Sequence, residues 1–169
     1  MVDDVLLKLA AEVGAALKQR GWTLALAESC TGGGAAQCVT AIPGSSIWFD
    51  RGFVTYSNAA KIEMLGVSEQ ILEQYGAVSE QTACEMASGA LSHSHAHVAV
   101  AISGIAGPGG GTEDKPVGTV CIAWAASGQP LRSKTCHFSG DRECVRRQAI
   151  ETALHDLLQL TLATELWNN

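Results

Sequence analysis

Thr23-Leu24-Ala25-Leu26-Ala27 runs directly into Glu28-Ser29-Cys30-Thr31-Gly32-Gly33, and this junction decides the fold. The apolar run has the length of a buried strand. The small residues from Gly34 to Ile42 can continue as a helix, running from about Thr31 to Thr40. A strand that stops at Ser-Cys-Thr-Gly-Gly and turns into a helix holds a hydroxyl or a thiol at the carboxyl end of a sheet. It also aims free backbone N–H groups at the same point. That arrangement suits an activated nucleophile beside an anion or oxyanion site. A corner that needs small residues only for packing reads the same way, so the junction alone leaves both open.

Upstream of it, Val5, Leu6, Leu9, Val13, Ala16 and Leu17 recur at helical spacing, with Gly21 as the stop. Downstream, Pro43-Gly44-Ser45-Ser46 is a turn and Arg51 to Tyr56 a second strand. Short helices are expected from Asn58 to Leu65 and from Ser68 to Gln74, then a longer one from Glu80 to Ser92 behind the cap Ser79. Val98 to Ile102 is continuously apolar, as a central strand is. A glycine loop at 107–111 leads to a hairpin, Val117 to Ala126 and Leu131 to Phe138, and a last helix runs from Asp141 to about Leu166. Helices alternate with strands and no repeat or linker interrupts them. The expectation is an α/β sandwich in one domain, residues 1–169.

Composition excludes several classes. A chain of 169 residues can bury a sizeable core, and 47% hydrophobic against 17% charged residues is not the balance of a disordered chain. A net charge of −6 argues against general nucleic-acid binding. The acidic start Met1-Val2-Asp3-Asp4 is unlike a secretory signal, and no apolar run approaches the roughly 18 residues of a membrane span. A cytoplasmic location is the expectation. The six cysteines, Cys30, Cys38, Cys84, Cys121, Cys136 and Cys144, form no CxxC pair and read as reduced thiols, most of them in the core.

Three glycine- or serine-rich corners follow strands: residues 28–33, 103–111 and 139–142. In open α/β sheets such loops converge on the ligand crevice. None is a Walker loop or a dinucleotide fingerprint. A serine nucleophile needs a base. Lys61, just behind Val54-Thr55-Tyr56-Ser57-Asn58, can serve if burial or a nearby cation lowers its pKa from roughly 10.4 towards 7–8. A solvated surface lysine is the alternative.

Of the 11 basic residues, five (Arg132, Lys134, Arg142, Arg146, Arg147) fall between 131 and 150. Arg142 and Arg146 share a face at the start of the last helix, where cations oppose the helix dipole. A bound phosphate or carboxylate explains them, and so does an ion pair with Asp141 or Glu143. His93, His95 and His97 alternate as strand-borne ligands would, but they lie at a helix-to-strand junction with no carboxylate or cysteine close in sequence. A solvated loop is expected there, and neither a metal nor a cofactor. Cys30 stands as a rival nucleophile, since a thiol at a helix N-terminus ionises easily.

Several motifs occur in one order along the chain. They are residues 27–33, Pro43-Gly44-Ser45-Ser46, Gly52-Phe53-Val54-Thr55-Tyr56-Ser57-Asn58, Lys61, Gly76-Ala77-Val78-Ser79, residues 103–108, Lys115-Pro116-Val117-Gly118-Thr119-Val120 and Phe138-Ser139-Gly140-Asp141-Arg142. In them the chain resembles the CinA C-terminal-domain family over nearly its whole length, in the form of its stand-alone nicotinamide-nucleotide amidohydrolases. The resemblance implies a three-layer α/β/α fold with a mixed, mainly parallel sheet, similar to anticodon-binding domains. It implies hydrolysis of the carboxamide of nicotinamide mononucleotide to nicotinate mononucleotide and ammonia, with Ser29 as nucleophile, Lys61 as its base and no metal.

In that scheme Tyr56 orients Lys61, and the oxyanion lies against N–H groups near Thr31, Gly32 and Gly33 or in the Ser103-Gly104 loop. Ser103, Gly104, Ala106 and Gly107 line the ligand, and Arg142 and Arg146 take the phosphate. The molybdopterin-binding-like domain of longer relatives is not in this sequence, so no competence or pyrophosphatase role is expected. The expected partner is the small-molecule substrate, without nucleic acid or membrane, and the chain is expected to be a homo-oligomer, a dimer first. A nucleotide-binding regulatory module without turnover would use the same corners and arginines. Ser29 together with Lys61 favours the enzyme.

Overall fold

The computed structural model describes residues 2–163 and 167. Strands β1 (Leu24–Glu28), β2 (Phe49–Val54), β3 (Val98–Gly104), β4 (Thr119–Ala126) and β5 (Arg132–His137) make one sheet in the order β2-β1-β3-β4-β5. β1 pairs parallel with β2 and β3, whereas the β3–β4 and β4–β5 pairs are antiparallel. The sheet is mixed, and its parallel strands carry Ser29. Helices α1 (Asp4–Arg20), α2 (Gly34–Thr40), α3 (Asn58–Leu65), α4 (Glu69–Tyr75), α5 (Glu80–Ser92) and α6 (Arg142–Leu162) form the two outer layers.

Alternation of large and small side chains along the strands decides which helices go where. Leu24 and Leu26 of β1, Val98, Val100 and Ile102 of β3, and Val120, Ile122 and Trp124 of β4 share a core with α1, α2 and α6. Their neighbours Ala25, Ala27, Ala99, Ala101, Cys121, Ala123 and Ala125 point the other way, under α5. Full burial of each leucine, valine or isoleucine contributes about 1.5–3 kcal/mol, so the first core carries most of the hydrophobic stabilisation. The alanine face contributes less per residue but lets the backbone of α5 lie close to the sheet. α5 is approached as closely from outside: a Cβ on Gly89 would stand 2.0 Å from the carbonyl oxygen of Leu65, the last residue of α3. Gly89→Ala is therefore expected to cost about 1–3 kcal/mol, read as a fall of roughly 2–4 °C per kcal/mol in a thermal melt.

The elements follow the expected order with local shifts. α1 is capped by Asp3 and closed by Gly21 at φ 65°, the stop the sequence suggests, but Val5 is exposed because it sits at the margin of the apolar stripe. α2 begins at Gly34 rather than Thr31, since Gly32 (φ 58°) and Gly33 (φ 98°) carry the chain through a left-handed turn first. β2 runs from Phe49 to Val54, two residues earlier than expected. Its pairing with β1 ends level with Glu28 and leaves Thr55–Ser57 as a loop. Gly118, at φ 96°, delays β4 to Thr119. The last helix runs to Leu162 with Ala163 as its C-cap, and Leu166, its expected end, lies outside the described residues. All six cysteines are free thiols, with Cys30, Cys38 and Cys121 buried. Among the described residues no helix is long and apolar enough to cross a membrane.

Candidate active site

β1 does not stop at its last paired residue. The N–H of Ser29 donates to the carbonyl of Ile102 at 2.9 Å, so the β1–β3 ladder holds Ser29 one step past Glu28. The chain then folds back on itself: Gly32 N–H donates to Ser29 O at 3.0 Å and Gly34 N–H to Thr31 O at 2.9 Å. Ser29 is only 7% exposed.

Lys61 reaches Ser29 from α3, whose start is fixed by the Ser57 hydroxyl accepting the N–H of Ala60 at 3.0 Å. Long side chains on a helix lean towards its N-terminus, which here faces the strand ends. Lys61 is 1% exposed, and its Nζ lies 3.1 Å from Ser29 Oγ while donating to the carbonyl of Thr55 at 3.0 Å. Burial lowers the pKa of this amine below the ordinary lysine value, against a small opposing effect from Cys30. The solvated surface lysine is ruled out.

The thiol of Cys30 is pushed up to about 11, first by burial and then by the carboxylate of Glu28, so it is not the ionised thiol that a helix N-terminus would create. The reason is structural. Glu28 is 1% exposed and accepts the Thr31 hydroxyl at 2.6 Å and the N–H groups of Ala35 and Ala36 at 2.8 and 3.0 Å. Glu28 thus takes up N–H groups at the start of α2 that would otherwise be free.

A pocket of about 180 Å³ opens onto this pair, lined by Ser29, Cys30, Tyr56, Asn58, Lys61, Ala77, Val78, Ser103, Gly104, Ala106 and Arg142. Three of the expected ligand residues, Ser103, Gly104 and Ala106, are thus in place, although the Ser103 hydroxyl itself donates to the carbonyl of Ala77 at 2.7 Å. Gly107 reaches the site through its carbonyl, which accepts from Arg142 Nη1 at 2.8 Å. Arg142 Nη2 donates to the hydroxyl of Tyr56 at 3.1 Å.

Five of the expected site residues make contacts other than those expected. Tyr56 is 63% exposed and bonded to Arg142; the group that holds Lys61 is the carbonyl of Thr55. Thr31, Gly32 and Gly33 do not line the pocket, because Thr31 gives its hydroxyl to Glu28 and Gly32 its N–H to Ser29 O. Arg146 is also outside it. Its guanidinium donates through Nε to Cys30 O at 3.1 Å and through Nη2 to Thr31 O at 3.2 Å, on the far side of the turn. The start of α6 carries its own cap, Asp141, which accepts the N–H of Cys144 at 2.9 Å.

The histidine run has structural partners. His97 Nδ1 accepts the N–H of Thr23 at 3.0 Å, His93 Nδ1 lies 2.8 Å from Gly89 O at the end of α5, and the N–H of His95 donates to Asp50 at 3.1 Å. Among the described residues no group of three His, Cys, Asp or Glu side chains could hold a metal ion.

The sequence reading missed Glu28, Asn58, Ala77 and Val78. Glu28 had a signal, a lone carboxylate ending an otherwise apolar strand. Asn58 opens α3 and Ala77 and Val78 lie in the loop before α5, so their approach depends on the tertiary fold.

The profile of the CinA C-terminal domain matches residues 6–161. The chain belongs to the CinA C-terminal domain family. Within the CinA family it is 58% identical over 160 residues to the nicotinamide-nucleotide amidohydrolase PncC of Escherichia coli K12, covering 94% of this chain and 96% of that one. It is 50% identical over 157 residues to the protein of the same name from Pseudomonas putida, covering 93% and 98%. Among solved structures, the competence/damage inducible protein CihA of Agrobacterium tumefaciens superposes with a TM-score of 0.92 at 43% identity, covering 95% of this chain and 98% of that one.

Proposed function

We propose that this chain is a nicotinamide-nucleotide amidohydrolase that converts nicotinamide mononucleotide to nicotinate mononucleotide and ammonia through a Ser29–Lys61 pair. The observation that supports this most is a buried amine of lowered pKa 3.1 Å from a serine hydroxyl at the floor of a pocket. Binding alone requires neither group. The names of the E. coli and P. putida relatives support the substrate.

In this reading neutral Lys61 takes the Ser29 proton as Oγ attacks the carboxamide carbon. The oxyanion lies against the wall formed by Ser103, Gly104 and Ala106, which line the pocket where Thr31, Gly32 and Gly33 do not. Lys61 returns the proton to the departing ammonia, and water then cleaves the acyl-serine. The carboxamide has to lie against Ser29 and Lys61, and the lining of the pocket includes one guanidinium, that of Arg142. The ribose phosphate therefore extends towards Arg142 at the mouth, with Tyr56 steadying the guanidinium.

The test is ammonia release from nicotinamide mononucleotide by the purified protein. Binding without ammonia would instead favour the regulatory module. Arg142→Ala is expected to raise KM for the mononucleotide by roughly tenfold or more, the equivalent of a charge-assisted bond of about 1.5–3 kcal/mol. KM for the unphosphorylated riboside should change little. Equal effects on both would move the phosphate elsewhere.

A further inference from the structure

We infer that Arg146 is a positioning residue for Ser29: its guanidinium fork fixes two consecutive carbonyls of the nucleophile turn from behind, and so sets the direction of Oγ without touching substrate. The inference rests on Ser29 being the nucleophile. It takes from Arg146 the phosphate role that its place beside Arg142 in sequence suggests.

Three successive carbonyls carry the argument. Ser29 O accepts from Gly32 N–H at 3.0 Å, Cys30 O from Arg146 Nε at 3.1 Å, and Thr31 O from both Gly34 N–H at 2.9 Å and Arg146 Nη2 at 3.2 Å. Every peptide plane between the strand and the glycines is therefore held by a donor. The turn needs this hold because it ends in Gly32 and Gly33, both at positive φ, and glycine has many other conformations available.

From the other side the buried carboxylate of Glu28 fixes the Thr31 hydroxyl and the start of α2. Glu28 holds the end of the turn and Arg146 its middle. With the backbone locked, only χ1 of Ser29 is left to place Oγ against Lys61. Two acceptors on adjacent residues suit a planar guanidinium, which presents two parallel donors, and not a lysine ammonium. Arg146 also faces a different cavity, together with Gln37, Cys38 and Ile150, which a phosphate bound at the mouth of the Ser29 pocket does not enter.

The test compares steady-state kinetics and amide exchange in Arg146→Ala, Arg146→Lys and wild type. Arg146→Ala should lower kcat by about 100-fold, the scale of a misplaced reacting group, with KM for the mononucleotide within about twofold. Millimolar methylguanidinium should restore part of kcat, and methylammonium should not. Arg146→Lys should lie between the two, and the Gly32 amide should exchange faster in both variants.

A tenfold rise in KM at unchanged kcat would make Arg146 a substrate ligand and overturn the inference. Full kcat in Arg146→Lys would do the same. If Arg146→Ala does not fold, Arg146→Lys carries the comparison. Ser29→Ala separates the two levels: if it stays active, the reading of Ser29 falls. The Arg146 inference is then decided by exchange at Gly32, where unchanged protection overturns it.

Discussion

Ser29→Ala is expected to lower ammonia release from nicotinamide mononucleotide by about 10³–10⁶-fold while leaving the fold and ligand binding intact. The loss is large because no other group in the pocket can replace the hydroxyl. Cys30, its neighbour, has a thiol pushed up to about 11 and stays protonated near neutrality. Lys61 is placed against Ser29 Oγ at 3.1 Å. The fold should survive because the turn is held by its backbone. Ser29 N–H goes to Ile102 O and Ser29 O to Gly32 N–H, and alanine keeps both bonds. Cys30→Ala should keep most activity. An active Ser29→Ala beside a dead Cys30→Ala would make this a cysteine amidohydrolase. Unchanged far-ultraviolet circular dichroism and retained binding of the mononucleotide complete the measurement.

Lys61→Met and Lys61→Arg should each lower kcat by at least about 10²–10⁴-fold, the usual contribution of a general base. Methionine has no basic nitrogen, and a guanidinium stays protonated at neutral pH. An active Lys61→Arg enzyme would end the Ser–Lys scheme even if Ser29 proved essential. Two pH dependences go with this. Only the neutral amine accepts the proton of Ser29, so kcat/KM should rise with pH through a limb that lies below the ordinary lysine pKa of 10.5.

Stability should follow the same group. The amine is harder to protonate in the fold than in the unfolded chain, so between the lowered value and 10.5 the unfolded chain binds more protons. The contribution of Lys61 is complete above that window and is lost as pH falls through it. Urea unfolding of wild type against Lys61→Met should show the difference moving in favour of wild type as pH rises, by at most about 1.4 kcal/mol per pH unit. A difference that moves the other way would mean that the amine is charged in the fold.

The α/β plan was legible because the continuous apolar runs of β1 and β3 and the helical spacing in α1 are local properties of the sequence, while the three-layer arrangement came with the family resemblance. The corner at residues 28–33 was legible for the same reason, but it left Ser29 and Cys30 as rivals, and the family resemblance alone ranked the serine first. Lys61 was only half legible. Its approach to Ser29 joins residues 32 positions apart, and nothing local shows that α3 points its first turn at the end of β1.

The pairing of Arg142 with Arg146 misled because a shared helix face does not mean a shared ligand. One turn of α6 carries Arg142 to the pocket mouth and Arg146 to the back of the nucleophile turn. Thr55 was invisible as a partner, since it acts through a carbonyl that every residue possesses. Glu28 went without a role because its three donors come from residues that a linear reading assigns to a free helix end.

The alanine face beneath α5 has a consequence for the width of the Ser29 pocket. Ala77 and Val78, which form one wall of the pocket, lie just before α5, while Ser29 and Ser103 stand on the strands below. The separation between wall and floor is thus set by how closely α5 rests on the sheet. Ala99, Ala101 and Ala123 act there as shims of one methyl each. Larger residues at these hidden positions would raise the helix and open the aperture above it without altering any atom that a substrate meets. The width of the pocket is thereby tied to side chains that never reach it.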